Sequence, residues 1–408
     1  MSAVLFMACA WPCAAAPPGE ATAPRLGIEV LLEQRLDLLR GKRVALVTNA
    51  TGLDSQLRSD VDRFAAHPAF ELVALFGPEH GVRGDVQAGD KVASSRDGVT
   101  GLPVHSLYGE HREPTPPMLA GIDVIVFDIQ DVGTRFYTYP YTLAGVMRSA
   151  KRAGISVVVA DRPDPLGGLL VEGPVLEPAL ASFVGLFPIP LRHGMTLGEL
   201  AMLFNTEFEI GAELHVVAMQ GWRRGDEPLR GALPWVPPSP NMPTPDTALV
   251  YPGMGLLEGT NVSEGRGTTR PFETFGAPWV DARALAERLN ALQLPGVLFR
   301  PSWFTPSFSK HAGKVCGGVQ LHVTDRAAFR PVRTGIAVLK ALHDQHPEDF
   351  AFLPGDPPFF DRLAGVPWLR EAFLRGDAVD AIEARWTPGL RQFEAVRQRH
   401  LLYAEVMP

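Results

Sequence analysis

The chain has 408 residues, more than the ~100 to 200 of one typical domain, so two cores are expected. Apolar residues make up 46% and charged residues 20%, the composition of an ordered soluble protein. A net charge of -7, with no Lys/Arg block, excludes nucleic acid as a partner.

The first basic residue is Arg25, and Ala3 to Ala16 form a short apolar run ending in small residues. That reads as a secretory signal, or as a lipoprotein leader through Cys9 or Cys13, so residues 1–23 are assigned to a leader and export to the periplasm or medium is expected. The run is shorter than the ~20 apolar residues of a membrane span, and no later stretch qualifies. Cys316, the third cysteine, reads as a small buried hydrophobe.

From Gly41 to Asp161, apolar β-branched runs alternate with helical spacing. Arg43–Thr48, Leu72–Phe76, Val124–Ile129 and Ile155–Ala160 are nearly continuous in Val, Ile, Leu and Phe, as strands buried on both faces are. Gln56–Ala66 and Tyr141–Ala153 read as the helices between them. The result is an α/β, Rossmann-like, doubly wound parallel sheet. No Gly-x-Gly-x-x-Gly fingerprint follows the first strand, so no dinucleotide is implied. Leu197 to Glu207 is a further helix, opened by a Thr196/Glu199 capping box.

Six prolines between Pro234 and Pro245 make a rigid segment suited to a domain junction. The expected division is therefore an N-terminal domain over 24–245 and a smaller α+β domain over 246–408. In the latter, Tyr251–Trp279 reads as loop-rich and Asp281–Leu292 as a helix. Val297–Arg300 and Val315–Thr324 read as strands. Arg333–His346, Trp368–Leu374 and Leu390–Tyr403 read as helices.

Ligands of open α/β sheets bind beyond the carboxyl ends of the strands. The residues there are Asn49, Glu79-His80, Asp128 to Asp131 with Gln130, and Asp161 to Asp164 with Arg162. Each alone could cap a helix or turn; four sets at one sheet edge indicate a site. Glu79, fixed between Pro78 and a glycine-flanked His80, is the leading candidate for a general acid. The alternative pairs it with Arg83 in an ordinary ion pair. Arg135, Tyr137 and Tyr139 alternate aromatic and basic character, which suits sugar rings or, equally, a strand packed into the core. Glu258, Asn261, Glu264 and Arg266 stand on a glycine-rich loop that lacks the Gly-Lys-Ser/Thr of a phosphate site. No Gly-x-Ser-x-Gly elbow is present, and no metal or other cofactor is expected. Carboxylate chemistry remains, and glycosidic hydrolysis is the reaction that most often needs it.

At these residues the chain resembles the exo-β-N-acetylmuramidases, from about Leu26 to Tyr403. The resemblance is carried by Leu46-Val47-Thr48-Asn49, Gly77-Pro78-Glu79-His80-Gly81, Asp128-Ile129-Gln130-Asp131, Arg192-His193-Gly194-Met195, Pro240-Asn241-Met242-Pro243 and Glu258-Gly259-Thr260-Asn261 running to Arg266. It implies a site in an inter-domain cleft, release of terminal N-acetylmuramic acid from peptidoglycan fragments, and Glu79 as the acid. Among the other polar motif residues, Asn49, Gln130, His193, Asn241, Glu258 and Asn261 would line the sugar site. The second carboxylate stays open among Asp128, Asp131, Glu258 and Glu264, with His80 as a helper of Glu79. Arg162, Arg192 or Arg266 would pair with the lactyl carboxylate. Asp164 departs from the family's Asn at that position. Two other readings stand beside this one: a muropeptide-binding protein without chemistry, and a metal-dependent amidase or deacetylase.

Overall fold

In the computed structural model, residues 23–79, 81–84 and 95–405 are described. The leader assignment and His80 lie outside them. The first half is built on a seven-stranded sheet. Its strands are β1 (Arg43–Thr48), β2 (Glu71–Gly77), β3 (Ser95–Arg96), β4 (Pro103–Ser106), β5 (Val124–Asp128) and β6 (Ser156–Ala160) and, after the hairpin β7 (Glu172–Val175) and β8 (Pro190–Arg192), β9 (Leu214–Val217). The order is β3-β4-β2-β1-β5-β6-β9, parallel except for β3. The short β4 and β9 escape the sequence reading because four residues with His105 or His215 among them give no continuous apolar run.

Alternation along the strands divides the core in two. Val44 and Leu46 of β1 face one side with Val61 and Phe64, while Ala45 and Val47 face the other with Leu143 and Leu200. The helices that cover these faces are α1 (Gly27–Gln34), α2 (Asp60–Ala65), α3 (Tyr139–Ala153) and α4 (Leu197–Glu207). The capping box of α4 forms as expected, with Thr196 Oγ1 accepting from Glu199 N at 3.3 Å. Helix α2 is shorter than its spacing suggests: Asp54 accepts from Gln56 and Arg58 N, holding a turn with Leu57 at φ 62°, and Ser59 then caps the helix. Helix α3 starts two residues early because Pro140 suits a first turn.

The second half holds α5 (Pro245–Met254), a three-stranded antiparallel sheet of β10 (Thr274–Ala277), β11 (Val297–Phe304) and β12 (Cys316–Val323), α6 (Ala282–Ala291), α7 (Pro331–Gln345), and α8 (Phe359–Ala364), α9 (Trp368–Arg375) and α10 (Val379–Arg397). Helix α5 falls where the sequence reads proline-rich junction and loop. Pro245 sits in its first turn, Thr244 caps it, and it is buried on all sides, so it shows no amphipathic stripe. Helix α10 begins at Val379, ahead of the Leu390 start read from the sequence, and runs through Pro388; its buried Ile382, Trp386 and Phe393 hold it in place. Cys316 is buried, as expected.

The cores of the halves interlock. Val132, Phe136, Leu166 and Leu191 of the first half pack in the apolar cluster of the second, and Phe393 of α10 packs in that of the first. Among the described residues, no helix is long and apolar enough to cross a membrane.

Candidate active site

Glu79 stands two residues beyond β2 on a tight turn. Gly81 N donates to Pro78 O at 3.1 Å, and Gly81 takes φ 74°, a conformation that favours glycine. The Tyr108 hydroxyl hydrogen-bonds Glu79; burial and this carboxylate push the phenol up to about 12, so Tyr108 keeps its proton. Arg83 grips Asp97 at 2.7 Å and reaches Asp62 at 3.1 Å.

Glu79 lines a cavity of about 390 Å³, within the range of small-ligand pockets. One wall is aromatic: Phe136, Tyr137 and Tyr139 from the turn after β5, Tyr251 from α5, and Phe359 from α8. The Tyr137 and Tyr139 rings meet edge to face at 4.8 Å. Tyr139 is fixed from two other segments, since its hydroxyl donates to Pro238 O at 2.6 Å and accepts from Asn49 Nδ2 at 2.9 Å. The Tyr137 hydroxyl is buried beside the Tyr139 hydroxyl at the cavity wall. Ser182 and Ser239 add further hydroxyls to the cavity lining.

Glu258 supplies a second carboxyl to the same cavity. It lies in the turn after α5, where Gly255 and Gly259 admit the ring of Phe136 and the backbone of Phe360 too closely for any Cβ. Burial pushes the Glu258 carboxyl up, and Arg266, at 3.2 Å, partly offsets this. Burial opposes the charge on Arg266, but Glu258 and Glu264 outweigh it, and the guanidinium rests over Phe272 at 5.2 Å. Lys310, unnoticed in the sequence, donates to the carbonyls of Leu257 and Val262 and to Glu264 at 3.0 Å, pinning the loop.

Residues 44–246 match the N-terminal domain, and residues 249–403 the C-terminal domain, of the exo-β-N-acetylmuramidase NamZ. The chain belongs to the exo-β-N-acetylmuramidase family. It is 55% identical over 377 residues to the peptidoglycan β-N-acetylmuramidase NamZ of Bacillus subtilis strain 168, covering 92% of this chain and 91% of the relative. Two crystal structures of DUF1343 family proteins from Bacteroides fragilis NCTC 9343 share the fold. One has TM-score 0.87 and 41% identity, covering 93% of this chain and 99% of that one; the other has 0.77 and 30%, covering 94% and 100%.

Against the family expectation, five of the named residues reach the cavity: Glu79, Tyr137, Tyr139, Glu258 and Arg266. The other described candidates do not line it. Asp128 is not a cavity carboxylate; it is buried and gripped by Arg162, with Nη2 at 2.7 Å from Oδ2, and Asp60 shares the cluster. Arg162, also bonded to Leu53 O, is consumed there. Glu264 is buried between Arg266 and Lys310. Asn49 ties a turn to Thr51, and Gln130 bonds the Asp131 and Pro163 carbonyls. Asp131 caps Gly133 N and stands 3.6 Å from the buried His193. Asp164 plays a similar turn-capping part on Leu166 N, and burial pushes its carboxyl up.

Arg135 and Arg192 are likewise internal. Arg135 is fully buried, donating to Pro174 O, Ile189 O and Leu363 O, and burial lowers its guanidinium to about 10. Arg192 donates to Leu166 O. Asn241 is buried beside the cavity residue Ser239, and Asn261 is spent on Asp349 and Ala351. Sequence reasoning misses Tyr108, Arg112, Tyr251, Phe359 and Arg362, which come from loops and helices with no motif around them. Among the described residues, no group of three or more His, Cys, Asp or Glu side chains is placed to hold a metal ion.

Proposed function

We propose that this protein is an exo-acting glycoside hydrolase that releases the non-reducing terminal N-acetylmuramic acid from peptidoglycan fragments, with Glu79 and Glu258 as its carboxylate pair. The observation that carries the reading is that these two carboxyls, 179 positions apart in sequence, line one cavity with an aromatic wall. The name of the B. subtilis relative supplies the substrate class. Glu79 protonates the glycosidic oxygen. Glu258, whose burial Arg266 partly offsets, stabilises or activates the attacking species at the anomeric carbon. The Tyr137 hydroxyl and the aromatic faces hold the ring. The substrate is taken up where the two domains meet, and the apolar leader delivers the enzyme to the envelope.

The test is release of free N-acetylmuramic acid from its chromogenic β-glycoside by the wild-type protein and by Glu79→Gln. A general acid contributes about 10²- to 10⁴-fold, so turnover should collapse by that factor while the sugar still binds. Tight binding without turnover in the wild type would instead identify a muropeptide-binding protein.

A further inference from the structure

N-acetylmuramic acid differs from N-acetylglucosamine by a lactyl ether that carries a carboxylate, so a site that selects the former needs an available cation. The arginines that the motifs offer are committed elsewhere. Arg162 is held by Asp128, Arg192 by the Leu166 carbonyl, and Arg266 lies between Glu258 and Glu264. Two further arginines line the same cavity as the carboxylate pair: Arg112, in the loop between β4 and β5, and Arg362 in α8.

Among the described residues, neither is paired with a carboxylate. Among the described residues, Arg112 takes part in no ion pair, and its guanidinium lies over the Phe183 ring at 4.3 Å. A stacked guanidinium is held in plane and keeps its edge donors for a ligand, which is the geometry that a carboxylate reads bidentately. The Arg362 guanidinium donates to the Asp356 carbonyl at 3.3 Å, an uncharged partner. The two side chains come from different halves of the chain, so a carboxylate bound by both would also join them.

We propose that Arg112, supported by Arg362, binds the lactyl carboxylate of the substrate and so makes this site select an acidic sugar. The assignment rests on the glycosidase reading above. Its test is calorimetric binding to the Glu79→Gln protein of three probes: N-acetylmuramic acid, its lactyl amide, and N-acetylglucosamine. Arg112→Gln, Arg112→Lys and Arg362→Gln are then added singly to that background.

The acid should bind the background protein more tightly than the amide. Arg112→Gln should weaken acid binding about tenfold to a hundredfold, the span of a charge-assisted hydrogen bond, and bring the acid-to-amide ratio towards one. Arg112→Lys should restore part of that ratio, since it keeps the charge without the fork, and Arg362→Gln should lower it less than Arg112→Gln. An acid-to-amide ratio unmoved by either Gln variant, or equal losses for all three sugars, would overturn the assignment. A folded background protein that binds none of the three sugars would overturn the glycosidase reading itself.

Discussion

Arg266 offsets part of the upward push that burial gives the Glu258 carboxyl, and its removal should be visible in the pH dependence of turnover. The cation favours the charged carboxyl, so in Arg266→Met the Glu258 carboxyl moves further up. The acid limb of kcat/KM should then shift to higher pH, as a pH-rate profile will show. A different use of buried charge appears under β1 and β5. Burial, and then Asp128, hold the Asp60 carboxyl well above its usual range, while Arg162 keeps a bidentate grip on Asp128. The unfolded chain releases this proton near the ordinary Asp value of about 3.9, whereas the folded protein retains it to higher pH. The folded state therefore binds more protons, and stability should fall as pH rises above about 4 until Asp60 ionises in the fold. Asp60→Asn should flatten that slope at little cost in denaturant melts at a series of pH values. Asp128→Asn should cost about 3 kcal/mol or more by stranding Arg162.

At the scale of elements, α5 and α7 cross at two glycines. A Cβ on Gly335 would lie 2.4 Å from Gly253 O, and one on Gly253 would lie 1.9 Å from Pro331 O. These are backbone atoms, so no rotamer relieves the contact. Gly335→Ala should lower stability by about 1–3 kcal/mol, the range of core overpacking, read as a drop in Tm. It should also weaken catalysis, because α5 carries Tyr251 of the cavity wall. The sequence showed α4 and its cap because Thr196 and Glu199 stand three positions apart in the chain, the spacing of a capping box. It hid α5, whose prolines read as a rigid junction, and it began α10 only at Leu390, although tertiary packing holds both together.

For the whole molecule, the interlocked cores bear on independence of the halves. Residues 23–246 alone would expose Val132, Phe136, Leu166 and Leu191, which pack among residues of the second half, and would leave Arg135 without its Leu363 carbonyl. A chain ending at 246 is expected to aggregate or to lack the cooperative thermal transition of the full protein, checked by calorimetry alongside the intact chain. The cavity is lost with it, because Tyr251, Glu258, Arg266, Phe359 and Arg362 all follow the cut.

Local signals in the sequence determined the parallel sheet, its winding and the turn that presents Glu79: continuous apolar runs, capping residues and glycine-flanked turns act over a few positions and need no partner from afar. The membership of the cavity was decided in three dimensions. Asp128, Arg135, Arg162 and Arg192 have the residue types of a site, yet each is turned inward: Asp128 and Arg162 onto each other, Arg135 and Arg192 onto carbonyls distant in sequence. Tyr108, Arg112 and Arg362 carry no motif and reach the cavity because loops and helices far apart in the chain converge there. A buried polar group must find a partner, and which side chains are consumed in that way, leaving others free for substrate, depends on contacts that only the folded chain brings together.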